Sequence, residues 1–357
     1  MTIADDDAAW DAFVAASDPG SYLQASPWAR VKAVNGWRSV RAVAESPDGP
    51  IGAQVLVRQP RAFPWAFAYA PRGPVAAAWT PDAIAAFTDE VRRRVREVGR
   101  VAVVRIDPEI ERDGPVDADG ALRRALRRAG WRPADPVQPE VTRVIDLRAD
   151  EAALWGGLRK KWRQYVNRAR GAGVRVVDGE GDRLAEFHRI YRETAERAGF
   201  LIRTEDAYRD VWEAYRPSGS ARLLFAEDAA GVAQAALFLV RCGPRVVEPY
   251  GGMTAAGAES RANYLLKWEA IRTSREQGAT SYDLWGLAHP GIAHFKTGFG
   301  GREVRYVGAW DLVLDPLGRR AYEAGQAVRV RIARRRHGLP GTGNAVAYAG
   351  DGGDGGG

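Results

Sequence analysis

The sequence predicts an α/β protein of two tandem domains with mixed sheets, and three observations carry that prediction. The first is size and composition. The chain has 357 residues, 46% hydrophobic and 27% charged, the balance of a soluble globular protein, and at roughly 100–200 residues per domain its length suits two cores. The second is an internal repeat with a period of roughly 180 residues, too long for a solenoid and suited to a duplicated domain. The third is that strand and helix patterns follow one another in the same order in both copies.

The first copy opens with the hairpin pattern Val40-RAVAESPDGPIGAQVLVR, whose polar Gly-containing turn lies between two apolar runs. A third strand, AFAYAPRGPVA, follows, then a helical pattern from Pro81 to Gly99 and the strand VAVVRID ending at Asp107. The second copy runs Arg222-LLFAEDAAGVAQAALFLVR, then RVVEPYGGMTA, a helix near Asn263 to Gln277, and TSYDLWG with Asp283 at its strand end. AGWRPADPVQPEVTRVIDL and TGFGGREVRYVGAWDLVL then close the two copies alike, each with a long strand. This order on a mixed sheet is that of the GNAT-type acyltransferase fold. The predicted organisation is a GNAT-like first domain over 1–147, a second over 148–315, a basic helix over 316–337 packing on the first, and a disordered Gly-rich tail over 338–357.

Several classes are excluded early. Cys242 is the only cysteine, so there is no internal disulfide and no Cys-based zinc site, and the four histidines are scattered. No metal site is expected. The start MTIADDDAAW has neither the basic nor the apolar region of a signal peptide, and the most apolar long window, Ala62 to Trp79, is interrupted by three prolines and an arginine. A cytoplasmic protein is expected. The net charge of +7 favours anionic partners only weakly, because all but five of the 52 basic residues are arginine, which looks like a compositional bias. A phosphate-binding P-loop, HExxH and GxSxG are absent.

Three strings remain. Between the copies, ALWGGLRKKWRQYVNRARGAGVRVV sets Leu154, Leu158, Trp162, Tyr165, Val166 and Ala169 at helical spacing, with six cations between Arg159 and Arg170. Such a run is a solvated face or a track for a phosphate backbone. Within it, RARGAG matches the R-x-x-G-x-G of coenzyme A enzymes but follows a helix and precedes a strand, the reverse of the required context, so a glycine C-cap explains it better. Finally, GIAHFKTGFGG sets Lys296 between Phe295 and Phe299, with Gly298, Gly300 and Gly301 around them. Trp28, Trp37, Trp131 and Trp162 read as core, and Asp283 as a structural hydrogen-bonding residue.

HFKTGFGG, YDLWG, LRKKWRQYVNRARGAGVRVV and the early QASPWARVKAVNGW together resemble the Fem family, the aminoacyl-tRNA-dependent peptidyltransferases of peptidoglycan bridge formation. The resemblance runs from about Ser21 to Leu314. No heptad stretch is present for the coiled-coil arm of the larger members, so the chain is more similar to the compact FemX type. The resemblance implies two GNAT-like domains and an aminoacyl-tRNA donor already activated as an ester, so that no cofactor is required. It implies as acceptor the stem peptide of a UDP-linked or lipid-linked muramyl precursor, held by the first domain and its cleft with the second. It assigns Lys296 to the reacting centre and the acceptor's phosphates, Asp107 to a place beside the acceptor, and Lys32 and Arg203 to the pyrophosphate. Tyr250, with Tyr208 as a looser match, would lie near the uracil or sugar.

Arg159, Lys160, Lys161 and Arg163 are candidates for tRNA contact. Seven arginines between Arg319 and Arg336 would suit a peripheral association with the inner membrane surface. A monomer is expected. Two other readings stand beside this one: a GNAT-type acyltransferase acting on a small-molecule amine such as an antibiotic, and a non-catalytic tRNA-binding protein.

Overall fold

The computed structural model describes residues 3–61, 63–287 and 290–325. The chain divides into two compact units, one formed by residues up to Glu140 together with those from Arg305 onward, the other by Val141–Val304.

The first unit opens with α1 (Asp7–Ala16) and α2 (Ser26–Ala33). Then come β1 (Arg38–Ala44), β2 (Ile51–Arg58), β3 (Ala66–Ala70), β4 (Val75–Ala76), α3 (Pro81–Val98), β5 (Val101–Ile106), α4 (Ala121–Arg128) and β6 (Trp131–Ala134). α3 starts where the sequence signals it: Thr80 caps it by accepting from the Ala83 N–H, and Pro81 fills the first turn. Its face of Ile84, Phe87, Val91 and Val95 packs on the apolar side of the sheet with Val55, Ala68, Val104 and Trp131.

The second unit begins with β7 (Val141–Asp146), α5 (Glu151–Gly157), α6 (Lys160–Gly171), β8 (Arg175–Gly179), α7 (Leu184–Ala198) and α8 (Glu205–Tyr215). It continues with β9 (Ala221–Glu227), β10 (Ala233–Cys242), β11 (Arg245–Met253), α9 (Ala255–Ser260), α10 (Ala262–Glu276), β12 (Ser281–Asp283), α11 (Pro290–Thr297) and β13 (Arg302–Arg305). β14 (Ala309–Val313) and a helix over 316–325 return to the first unit.

The duplication is explicit in the sheets. The first runs β1-β2-β3-β5-β14-β6, with β4 beside β2, and the second β13-β7-β12-β11-β10-β9-β8. Each has one parallel pair among the pairings that position its site, β3 with β5 and β11 with β12, joined by α3 and α10 respectively. Both units are GNAT-like, as the sequence predicts.

Two expectations need correction. The terminal strands of the copies are exchanged: β7 pairs with β12 in the second sheet, and β14 inserts between β5 and β6 in the first. The boundaries therefore fall at 140 and 304 rather than 147 and 315. A strand pattern records alternation, not its partner, so the exchange leaves no local trace. Likewise, the helix read through Leu154 to Ala169 is two helices: Gly156 and Gly157 end α5, and Leu158 and Arg159 are extended before α6 begins. Residues 316–325 are helical and belong to the first unit, where Tyr322 stacks on Phe67 at 4.4 Å. The remainder of the stretch expected to form a basic helix, and the expected tail, lie outside the described residues. No helix among the described residues is long and apolar enough to cross a membrane.

Candidate active site

In the first unit the parallel strands β3 and β5 end side by side, with Ala70 opposite Ile106. Open α/β sheets place ligands at such strand ends. The next residues on either side meet there. The Tyr69 hydroxyl donates to Asp107 Oδ2 at 2.8 Å and the Arg72 backbone N–H to Oδ1 at 2.5 Å. Asp107 is 4% exposed. Burial pushes its carboxyl up to about 6, against the opposing pull of the Arg72 guanidinium and the two donors. A hollow beside it is lined by Arg72, Asp107, Gln138, Glu140 and Tyr306. A carboxylate with a pKa in this range changes charge at physiological pH and suits proton transfer.

Lys32, on α2, is 2% exposed, and its ammonium lies over the Trp28 ring, 4.8 Å from the centroid.

The second unit carries Lys296 near the end of α11. Its Nζ donates to the carbonyls of Gly286 at 2.9 Å and Trp285 at 3.3 Å. The turn holding those carbonyls is fixed from below: Trp285 has φ +58, and its N–H donates to Asp283 Oδ1 at 2.7 Å. Asp283 is fully buried and also receives Arg245 Nη2 and the Thr142 hydroxyl, as its structural reading requires. Burial, then the positive charge of Lys267, lowers the Lys296 ammonium to about 8. Lys267 is buried against Glu248, whose other oxygen accepts from the Tyr282 hydroxyl at 2.8 Å.

The glycines of the GFGG string have specific work. A Cβ at Gly298 would collide with the Trp162 ring, and one at Gly301, which has φ +69, with the Val144 carbonyl. Close packing on Trp162, whose Nε1 donates to the Phe295 carbonyl at 3.0 Å, sets the end of α11 and so the lysine.

Arg203, Tyr208 and Tyr250 come together in the same unit. The Arg203 N–H donates to the Tyr208 hydroxyl at 3.2 Å, and the Tyr208 and Tyr250 rings meet edge-on at 5.0 Å. Tyr191 joins them. Tyr208 is buried, which raises its phenol well above the ordinary value.

The basic residues of α6 separate into two kinds. Lys160 and Lys161 are exposed, as is Arg159. Arg163 instead donates through Nη1 to the Leu158 carbonyl at 2.5 Å and the Gly156 carbonyl at 3.0 Å, which satisfies acceptors at the C-terminal end of α5. Beside them the rings of Trp162, Tyr165, Tyr264 and Phe295 form a continuous cluster, with Tyr165 and Tyr264 at 4.8 Å and Tyr264 and Phe295 at 5.0 Å. Arg159 lies over Trp162, and Lys161 and Arg261 over Tyr165. RARGAG ends α6: the Ala172 and Gly173 N–H groups donate back to Arg168 and Arg170, so the string serves as a helix stop.

Sequence reasoning missed Tyr69, Arg72, Glu109, Glu248 and Lys267. Two of them left a signal, since Glu248 interrupts an apolar strand and Lys267 an apolar helix face.

The two units share the GNAT-like fold, one carrying a buried carboxylate and the other a lysine held by backbone carbonyls. The sequence profile of the FemAB family matches residues 6–228 and 220–327, and the chain belongs to that family. It is 29% identical over 222 residues to a protein of Staphylococcus saprophyticus named lipid II:glycine glycyltransferase, covering 61% of this chain and 53% of that one. A Staphylococcus aureus (strain USA300) protein of the same name is 26% identical over 290 residues, covering 79% and 64%. The chain thus spans about half to under two thirds of the length of these relatives. Among solved structures, that of FemX superposes with a TM-score of 0.81 at 20% identity, covering 91% of this chain and 98% of that one, a likeness of fold.

Proposed function

We propose that the chain is an aminoacyltransferase that moves an amino acid from an aminoacyl-tRNA onto an amine of the stem peptide of a peptidoglycan precursor, with a lipid-linked muramyl peptide as acceptor. The observation that carries this reading is Lys296, held at the end of α11 by two backbone carbonyls within the string most specific to the family. Membership of FemAB and the naming of two relatives as lipid II:glycine glycyltransferases support the acceptor class.

In this reading the acceptor ammonium gives a proton to the Asp107 carboxylate. The neutral amine then attacks the ester carbonyl carbon of the donor. Lys296 stabilises the negative charge that develops on the carbonyl oxygen. As the intermediate collapses, the ester C–O bond breaks, the ribose oxygen leaves with a proton, and an amide bond remains. Lys32 and Arg203 are assigned to the acceptor's phosphates, and Tyr208 and Tyr250 to its nucleotide or sugar. The unpaired 3′ end of the donor suits the aromatic and cationic face of Tyr165 and Tyr264, since bases stack on rings while cations take up phosphate. Arg159, Lys160 and Lys161 extend that face.

The test is transfer from a pool of charged tRNAs, each amino acid labelled in turn, to lipid-linked and UDP-linked muramyl pentapeptides. A mass gain of one residue on the acceptor is expected. Donor consumption only with another amine would retain the fold and remove the cell-wall assignment; salt-sensitive tRNA binding without product would leave a binding protein.

A further inference from the structure

We propose that Arg72 is a positioning residue that holds the Asp107 carboxylate in the orientation in which it meets the acceptor amine, a role that rests on the transferase reading above. The Arg72 guanidinium is turned into the protein: the residue is 3% exposed, Nη2 donates to the Pro139 carbonyl at 2.7 Å, and Nε lies 3.3 Å from Glu109 Oε1. The group also covers the Tyr306 ring at 4.9 Å. The Arg72 backbone N–H donates to Asp107 Oδ1 at 2.5 Å.

That N–H reaches Asp107 because Arg72 has φ +57, a conformation L residues other than Asn, Asp and His seldom adopt. Such a backbone persists only where its surroundings over-determine it, and here they do. Gln24 Nε2 donates to the Pro71 carbonyl at 2.7 Å, and the Gly73 N–H to the Ala70 carbonyl at 3.1 Å. A Cβ at Gly73 would stand 2.7 Å from the Gln24 amide. The buried side chain anchors the residue from the opposite side. Tyr69 fixes the second oxygen, so both carboxylate oxygens are held in set directions.

The charged and titratable groups that face Asp107 are Tyr69 from β3, Arg72 from the loop after it, and Glu109 from the loop after β5; Tyr306 and Glu140 complete the wall of the hollow. The Arg72 charge favours the carboxylate and the Glu109 charge disfavours it. The two partners of one ion pair therefore act on Asp107 with opposite sign.

The test is the carboxyl titration of Asp107 in the full chain, followed by carbon NMR with ¹³C-labelled aspartate and assigned by its loss in Asp107→Asn. Arg72→Gly leaves the left-handed backbone accessible and removes the guanidinium, so the Asp107 midpoint should rise by about one pH unit or more. In Glu109→Gln it should fall. The low-pH limb of kcat/KM should move in the same directions. An unchanged midpoint in either folded variant, or shifts of the same sign in both, overturns the proposal. If Arg72→Gly does not fold, the sign of the Glu109→Gln shift decides alone. Because the titration needs no turnover, a native chain that transfers nothing to a muramyl peptide would refute the transferase reading while leaving Arg72 to be judged by its own measurement.

Discussion

Asp107 directly follows β5 and Asp283 ends β12, each strand being the second of its sheet's parallel pair, yet their surroundings have made the two carboxyls different groups. Asp283 is ion-paired with Arg245 and also accepts from Thr142 and the Trp285 N–H. Asp107 takes one hydroxyl and one backbone donor and borders a hollow. A duplicated strand end thus serves the fold in one unit and offers a titratable carboxyl in the other.

Lys296→Met should reduce transfer by at least about 100-fold, the scale of losing one donor to an oxyanion. The same variant should be at least as stable as the native chain at pH 7. The ammonium's folded value of about 8 lies below its ordinary 10.5, so the unfolded chain binds more protons between those values, and stability rises with pH through that window. Below pH 8 the buried charge costs stability, and Met removes that cost. If the charged form acts in transfer, kcat/KM should fall as pH rises through about 8. Chemical denaturation at pH 7 and a pH–rate profile check both; a variant with near-normal turnover would remove Lys296 from the reaction.

Lys267→Met should cost about 3–5 kcal/mol, because it strands the Glu248 carboxylate in the core. Lys267→Met with Glu248→Gln should recover much of that loss in urea titration. Since the Lys267 charge depresses the Lys296 ammonium, the high-pH limb of activity should also move upward in the single variant.

Arg163 and Lys161 should respond differently to removal. Arg163→Ala should destabilise the protein by about 1–2 kcal/mol through the unsatisfied α5 carbonyls. Lys160→Ala with Lys161→Ala should leave melting unchanged. It should lower the salt dependence of tRNA binding by about 0.7 in log–log slope for each phosphate that is no longer neutralised. An unaltered slope would take these two lysines out of the interface.

Gly298→Ala should destabilise by about 1–3 kcal/mol, the range for overpacking, since the added methyl meets the Trp162 ring. Transfer should fall further than stability does, because the displaced segment carries Lys296. Comparing activity with the folded fraction separates the two effects.

The architecture was legible where local chemistry decides it. The polar turn at Ser46–Gly49 marks the β1–β2 hairpin, and the helical pattern from Pro81 marks the start of α3. Trp28, Trp131 and Trp162 are core, as their spacing suggests, while Trp37 is only half-buried. Lys296 stood out because of the aromatics and glycines around it. Arg72 did not, because Pro-Arg-Gly-Pro reads as an exposed turn, and nothing in four residues reveals that Glu109 and Tyr306 close over the guanidinium. Arg163 looked like one more surface cation because its partners are backbone carbonyls, which a sequence pattern does not register.

The placement of β14 between β5 and β6 orders events during synthesis. The first sheet lacks the strand that joins those two until residue 313 has left the ribosome, by which time all of β7 through β13 has been made. The second unit, a continuous stretch, can close as soon as it emerges, whereas the N-terminal one must wait with two strand edges open. The half translated first is therefore the half finished last.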